Sequence, residues 1–227
     1  MDVQLGLDVA RDGSGQVRVV TTLDPEAAGR ITDLSAQLMV DDLRAAGWTI
    51  DGPERGDDGS TVITASKPFA NPEGAGDVLE EVGGSEGPFH DLEVTRRTSF
   101  LTTSYAFSGT VDLRDGVDAF SDEELRRQLE GSGFGLGTAE LEQATGAPVA
   151  DTFGLEVRAD LPGSISVEEA AEDDHGMAVW RPSLGQETRF AATSSAFNLQ
   201  RLVWLMAAAF AALAALAILL HKAWRRP

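Results

Sequence analysis

The chain has 227 residues, 42% of them apolar, so it can fill a core and is not a disordered tract. It has no cysteine, which excludes a disulfide framework, a thiolate metal site, a thiol nucleophile and a lipidated cysteine within this sequence. The formal charge of −19 is unevenly placed: residues 201–227 hold four basic side chains and no acid, so the first 200 residues carry 14 basic and 37 acidic ones, a formal −23 that repels nucleic acid phosphates.

Val3, Leu5, Leu7 and Val9 alternate with polar or small residues, the pattern of a half-buried strand. Arg11-Asp12-Gly13-Ser14-Gly15 makes a tight turn, and Val17, Val19 and Thr21 continue the alternation, which predicts a hairpin. The acidic spacing of a calcium loop is missing from that turn. Asp24-Pro25-Glu26 opens a helix, with a capping acid, proline at the first position and a further acid facing the dipole. Its apolar stripe is Ala27, Ile31, Leu34, Leu38 and Leu43, and Gly47 ends it. Strands follow at residues 48–50 and 61–65, separated by the turn at Asp57-Asp58-Gly59. Asn71-Pro72-Glu73 repeats the helix start, carries Val78, Leu79 and Val82, and stops at Gly83-Gly84. Residues 92–100 and 103–113 read as two more strands, and Ser121-Asp122-Glu123-Glu124 fits a capping box for a short helix through Leu129. Residues 153–159, 177–180 and 188–193 are strand-like. The sum is an α+β domain over residues 1–195, a mostly antiparallel sheet with helices packed on one face.

Residues 202–220 are 19 in a row without charge or proline. At about 1.5 Å per residue they span nearly the thickness of a bilayer's hydrocarbon core, which predicts a transmembrane helix. A juxtamembrane linker at 196–201 precedes it and a basic tail at 221–227 follows. Lys222, Arg225 and Arg226 place that tail in the cytoplasm by the positive-inside rule, and the acidic domain outside. Trp204 and Trp224 fall near the two headgroup regions. An outside domain needs an export signal, and the chain opens directly on its first strand, so a signal peptide is expected ahead of it; a tail-anchored protein with its domain in the cytoplasm is the alternative.

Signals for chemistry are few. Gly131-Ser132-Gly133-Phe134-Gly135-Leu136-Gly137 lacks the Gly-Lys-Ser/Thr ending of a phosphate loop. His90 beside Asp91, and His175 after Asp173 and Asp174, do not make a converging ligand set by themselves. The Gly-x-Ser-x-Gly pattern of a nucleophile elbow is not read in the chain. No catalytic residue, metal site or cofactor is therefore assigned. Phe69, Phe89, Phe100, Tyr105 and Phe107 lie in or beside strands. Phe100, Tyr105 and Phe107 face the helical stripe of Ile31, Leu34 and Leu38 in this reading, and the six are candidates to line an acyl-chain pocket; ordinary core is the alternative. Arg96 and Arg97 are adjacent, so in a strand they point to opposite faces and only one of them serves a pocket mouth.

Strand–turn–strand over residues 3–23, the helix begun by Asp24-Pro25-Glu26, the Ala46-Gly47-Trp48 step into a strand, and the C-terminal apolar run with its basic tail together resemble the actinobacterial LppM-like envelope proteins. The resemblance covers most of the chain and rests on structural motifs. It implies an exported α+β domain held at the cell surface that binds envelope lipids or glycolipids, and supplies no catalytic residues. The expected function is thus a non-catalytic, single-pass membrane protein whose exported domain binds an envelope lipid, a glycolipid or a membrane protein partner. An envelope enzyme, or a structural module of a larger membrane complex, is the alternative.

Overall fold

The structure, a computed structural model, describes residues 1–25, 28, 40–84, 87–120, 153–168, 172–174, 176–198 and 201–211. The first two strands, β1 (Asp2–Val9) and β2 (Gly15–Leu23), pair antiparallel from Val9 opposite Gly15 to Asp2 opposite Thr22. Their turn closes on Asp12, whose carboxylate accepts from the Ser14 N–H at 3.0 Å and the Ser14 hydroxyl at 2.6 Å, while Gly13 takes φ +93°. The same chemistry recurs between β3 (Thr49–Arg55) and β4 (Thr61–Phe69), where Asp58 accepts from both groups of Ser60 and Gly59 takes φ +83°.

Of the helix expected from Asp24, the structure describes α1 (Val40–Ala45) and the helical residues 25 and 28. Ile31, Leu34 and Leu38 lie outside the described residues. So do the capping box at 121–124, the glycine-rich segment at 131–137 and His175. The second expected helix is α2 (Pro72–Gly83), begun by Asn71, whose side chain accepts from the Gly74 N–H at 2.8 Å, and closed at Gly84 with φ +64°.

Beyond α2 come β5 (Phe89–Thr98), β6 (Thr102–Asp112) and a 3-10 turn at Gly116–Phe120. The rest of the described chain holds β7 (Gly154–Asp160), β8 (Ser164–Glu168), β9 (Glu172–Asp174), β10 (Met177–Trp180) and β11 (Glu187–Phe197). They form two sheets. The first has the order β3-β4-β2-β1-β7-β10-β9, and the second β5-β6-β11-β8. All pairings are antiparallel except β1 with β7, which run parallel in register from Asp2–Gly154 to Asp8–Asp160.

The domain is therefore α+β and sheet-dominated, and the expectation of one sheet covered by helices is corrected. The two sheets share one core. Leu5, Leu7 and Val9 of β1, Val17 of β2, and Leu155 and Val157 of β7 are buried on one face of the first sheet. Tyr105 and Phe107 of β6 and Phe190 and Ala192 of β11 are buried on one face of the second. Phe107 and Phe190 of the second sheet meet Trp180 of the first, with ring centroids 6.3 and 5.2 Å from it. Ala75, Val78 and Leu79 of α2 are buried in the same core. Alternation along a strand specifies that one face is buried; it does not say whether a helix or another strand layer covers that face.

Among the described residues no helix is long and apolar enough to cross a membrane. Of the apolar run, residues 202–211 are described, and they are helical and exposed; residues 212–220 and the tail at 221–227 lie outside the described residues. Strand β11 continues to Phe197, two residues past position 195, where the sequence reading ends the domain. Asn198 then caps the helical segment: its side chain accepts from the Arg201 N–H at 3.3 Å and its carbonyl from the Leu202 N–H at 3.1 Å.

Candidate functional site

The three described candidates for an acyl pocket are not brought together. Tyr105 and Phe107 point the same way from β6 and are 2% and 1% exposed. The Phe107 ring packs between Trp180 and Phe190 at centroid distances of 6.3 and 5.2 Å. Tyr105 spends its hydroxyl on the Arg11 carbonyl of the β1–β2 turn, and the Arg96 guanidinium lies over its ring at 6.0 Å. Phe100 lies elsewhere, in the turn between β5 and β6, 61% exposed. The alternation expected for the two arginines holds: Arg96 shares the face of buried Val94 and reaches the Arg11 carbonyl at 3.4 Å, and Arg97 is exposed on the other face.

The turn that carries Phe100 is tied to the start of the C-terminal helical segment. The Ser99 N–H donates to the Thr102 carbonyl at 2.7 Å and closes the turn. The Asn198 N–H donates to the Leu101 carbonyl at 2.7 Å, and the Arg201 guanidinium to the Ser99 carbonyl at 3.2 Å. Phe197, opposite Thr102 in the ladder, is 70% exposed beside it. This end of the second sheet is the feature that sequence reading missed. The sequence signal is slight: Phe100 keeps the period-two phase of Leu92 and Val94 and Leu101 that of Tyr105 and Phe107, so only the change of phase between them marks the turn.

Other polar groups have structural duties. Lys67 donates to both carboxylate oxygens of Glu81, at 2.8 and 2.7 Å, and to the Ala46 carbonyl at 2.7 Å. The Trp48 indole N–H donates to Glu81 at 3.0 Å, so this clasp joins β4, α2 and the step into β3. The Lys67 hydrogen bond chiefly holds the Glu81 carboxyl below its ordinary range. Hydrogen bonds from Arg114 take Asp112 down to about 2, and those from Ser14 and Ser60 lower Asp12 and Asp58. Burial, with the charge of Asp8 beside it, pushes Asp160 up. A cleft of about 270 Å3 opens on the first sheet among Asp2, Gln4, Thr22, Glu156 and Arg181. Glu156 there is paired with Arg158 and with Arg181, the latter at 3.0 Å.

A Gly-x-Ser-x-Gly match does occur, at Gly83-Gly84-Ser85-Glu86-Gly87, which corrects the reading that the chain has none. It joins the end of α2 to the start of β5. A nucleophile elbow needs the reverse order, strand then helix, to raise its serine at the top of a sheet. No group of acids and histidines among the described residues could hold a metal ion.

No family model matches the chain, and no curated protein does. Among solved structures it is similar to the folded domain of the Mycobacterium tuberculosis LppM protein, determined by NMR, with 10% identity over 88% of this chain and 92% of that one. The TM-score is 0.43, a weak LppM-like likeness of fold.

Proposed function

We propose that the chain is a non-catalytic, single-pass membrane protein of a cell envelope, with its acidic β-rich domain outside and its basic tail in the cytoplasm. The observation that carries this is the uncharged run at 202–220, which leaves the domain directly after β11 and whose described part is helical and exposed. An exposed helix made of Leu, Val, Trp, Met, Ala and Phe has its apolar surface in water unless lipid or protein covers it. In this reading the domain binds rather than catalyses; the lowered carboxyls at positions 12, 58, 81 and 112 each serve a local turn or ion pair, while Asp160 is raised by burial and by Asp8. The domain's partner in this reading is an envelope lipid or glycolipid, or a membrane protein.

Protease added to intact spheroplasts tests the topology. Digestion of the domain with survival of a tail epitope is the expected result. Protection of the domain until the membrane is broken would overturn the outside-facing arrangement. Native mass spectrometry of the full chain released from detergent tests the partner, and a co-purified lipid or protein names its class.

A further inference from the structure

Exposed apolar side chains are concentrated at one place. Among the described residues, the exposed large hydrophobics are Leu43, the trio Phe100, Leu101 and Phe197, and members of the segment at 202–210. Leu43 aside, all of them belong to the β5–β6 turn, to the end of β11, or to the helical segment hydrogen-bonded to that turn.

The charge follows the same division. Residues 94–107, the turn with the adjoining halves of β5 and β6, contain Arg96 and Arg97 and no acid. Residues 190–206, which bring β11 to this end and begin the helical segment, contain Arg201 and no acid. The opposite end of the same sheet holds Asp112 and Glu187, paired with Arg114 and Arg189, and leads into Asp115 and Asp118. Within a domain of formal charge −23, the described strand ends at this end of the second sheet carry no acid and are apolar at the tip, with Asp12 of the β1–β2 turn near Arg96.

We propose that Phe100, Leu101 and Phe197 form a second membrane contact, seated in the headgroup region of the bilayer that residues 202–220 enter. This rests on the membrane-anchor reading above. The occupant follows from position. Arg201 and Asn198 hold the carbonyls of Ser99 and Leu101, and Leu202 is the first residue of the run, so a bilayer that takes in residue 202 lies level with the turn. Apolar side chains at that level enter about 5–10 Å into the boundary between headgroups and acyl chains. Arg97 and Arg201 then stand where lipid phosphates are, with cationic heads in the polar layer and stems along apolar surface.

The absence of native cysteine permits a clean test on the full chain. Single-cysteine versions Phe100→Cys, Leu101→Cys, Ala211→Cys and Asp115→Cys are each labelled with an environment-sensitive fluorophore. They are reconstituted in phosphatidylcholine–phosphatidylglycerol vesicles containing spin-labelled lipid, with the spin label near the headgroups or near the bilayer centre. The turn positions should lose emission to the shallow quencher, position 211 to the deep one, and position 115 to neither. The two turn positions back each other should one variant fail to fold. If both behave like position 115 while 211 is quenched, the turn stands clear of the bilayer; the second contact falls and the anchor stands. A blue-shifted turn label that no lipid quenches assigns the patch to a protein cover and also overturns the proposal. If position 211 is not quenched either, the anchor reading falls and takes the contact with it.

Discussion

Truncation of Phe107 separates packed core from ligand pocket. The ring is 1% exposed and sits 6.3 Å from the Trp180 centroid and 5.2 Å from the Phe190 centroid. Replacing a buried phenylalanine by alanine costs about 3–5 kcal/mol through lost transfer energy and the cavity left behind. The aromatic pairs, each contributing roughly 0.5–1.5 kcal/mol beyond area, place this site toward the upper end of that range. For a domain of this size about 1 kcal/mol lowers Tm by roughly 2–4 °C, so Phe107→Ala should melt about 6–20 °C below the parent. Phe100→Ala, which removes a side chain 61% exposed, should stay within about 0.5 kcal/mol of the parent. Near-ultraviolet circular dichroism of the full chain in detergent follows the melt through the buried aromatic cluster. If Phe107→Ala melts with the parent, the ring is not packed as described. If it also releases a co-purified lipid at unchanged Tm, Phe107 lines a ligand cavity and the packed-core argument is wrong.

Tyr105→Phe removes the hydroxyl that ties β6 to the Arg11 carbonyl across the gap between sheets. It should cost about 1 kcal/mol in a denaturant titration, because the exposed turn lets water take the freed carbonyl. Among the described residues, Asp160 is the carboxyl whose folded pKa is raised, by burial first and by Asp8 second. The folded state then holds that proton more tightly than the unfolded one, so the group's penalty is absent below its ordinary 3.8 and grows as pH rises through the folded value. Asp160→Asn should accordingly raise Tm at neutral pH, with the gain vanishing in melts below the ordinary pKa; an equal gain at both ends would show that the charge is not its source.

Local chemistry made several elements legible. The alternation from Val3 to Val9 and the Asp-Gly-Ser turn gave the first hairpin, and Asn71-Pro72 with the stop at Gly83-Gly84 gave α2 within a residue. The β5–β6 hairpin was legible too, though placed a few residues late at its start. What escaped was long-range. Nothing in residues 2–9 states that β1 pairs in parallel with residues 154–160, since period-two alternation is the same for either direction. Strand β8 has Ile165 and Val167 as its only apolar residues in five, and the three-residue β9, Glu-Asp-Asp, has none. Phe100 was read as strand because an aromatic residue fits a strand by propensity. Its turn position follows from the ladder, where Thr98 already pairs with Thr103.

The relative sizes of two interactions decide how the domain sits if the second contact forms. Two hydrogen bonds, from Asn198 to Leu101 and from Arg201 to Ser99, couple the turn to the helical segment. The neutral bond contributes about 0.5–1.5 kcal/mol net and the exposed, charge-assisted one from Arg201 at most roughly 1.5–3, so they alone leave the domain able to tilt about its anchor. Full burial of a leucine or phenylalanine side chain contributes roughly 1.5–3 kcal/mol. Phe100, Leu101 and Phe197 are 61%, 38% and 70% exposed, so only deep insertion of all three, roughly 2.5–5 kcal/mol, outweighs both hydrogen bonds together. The bilayer then fixes the tilt, and the hydrogen bonds fix only the height of the turn above residue 202. Strand β11 runs away from that contact through eleven residues, from Phe197 back to Glu187, so the acidic end with Asp112 and Glu187 is carried away from anionic headgroups. That separation lets a strongly acidic domain rest on a bilayer without the repulsion its net charge alone would impose, because screening over roughly 8–10 Å removes the distant acids from the balance at the turn.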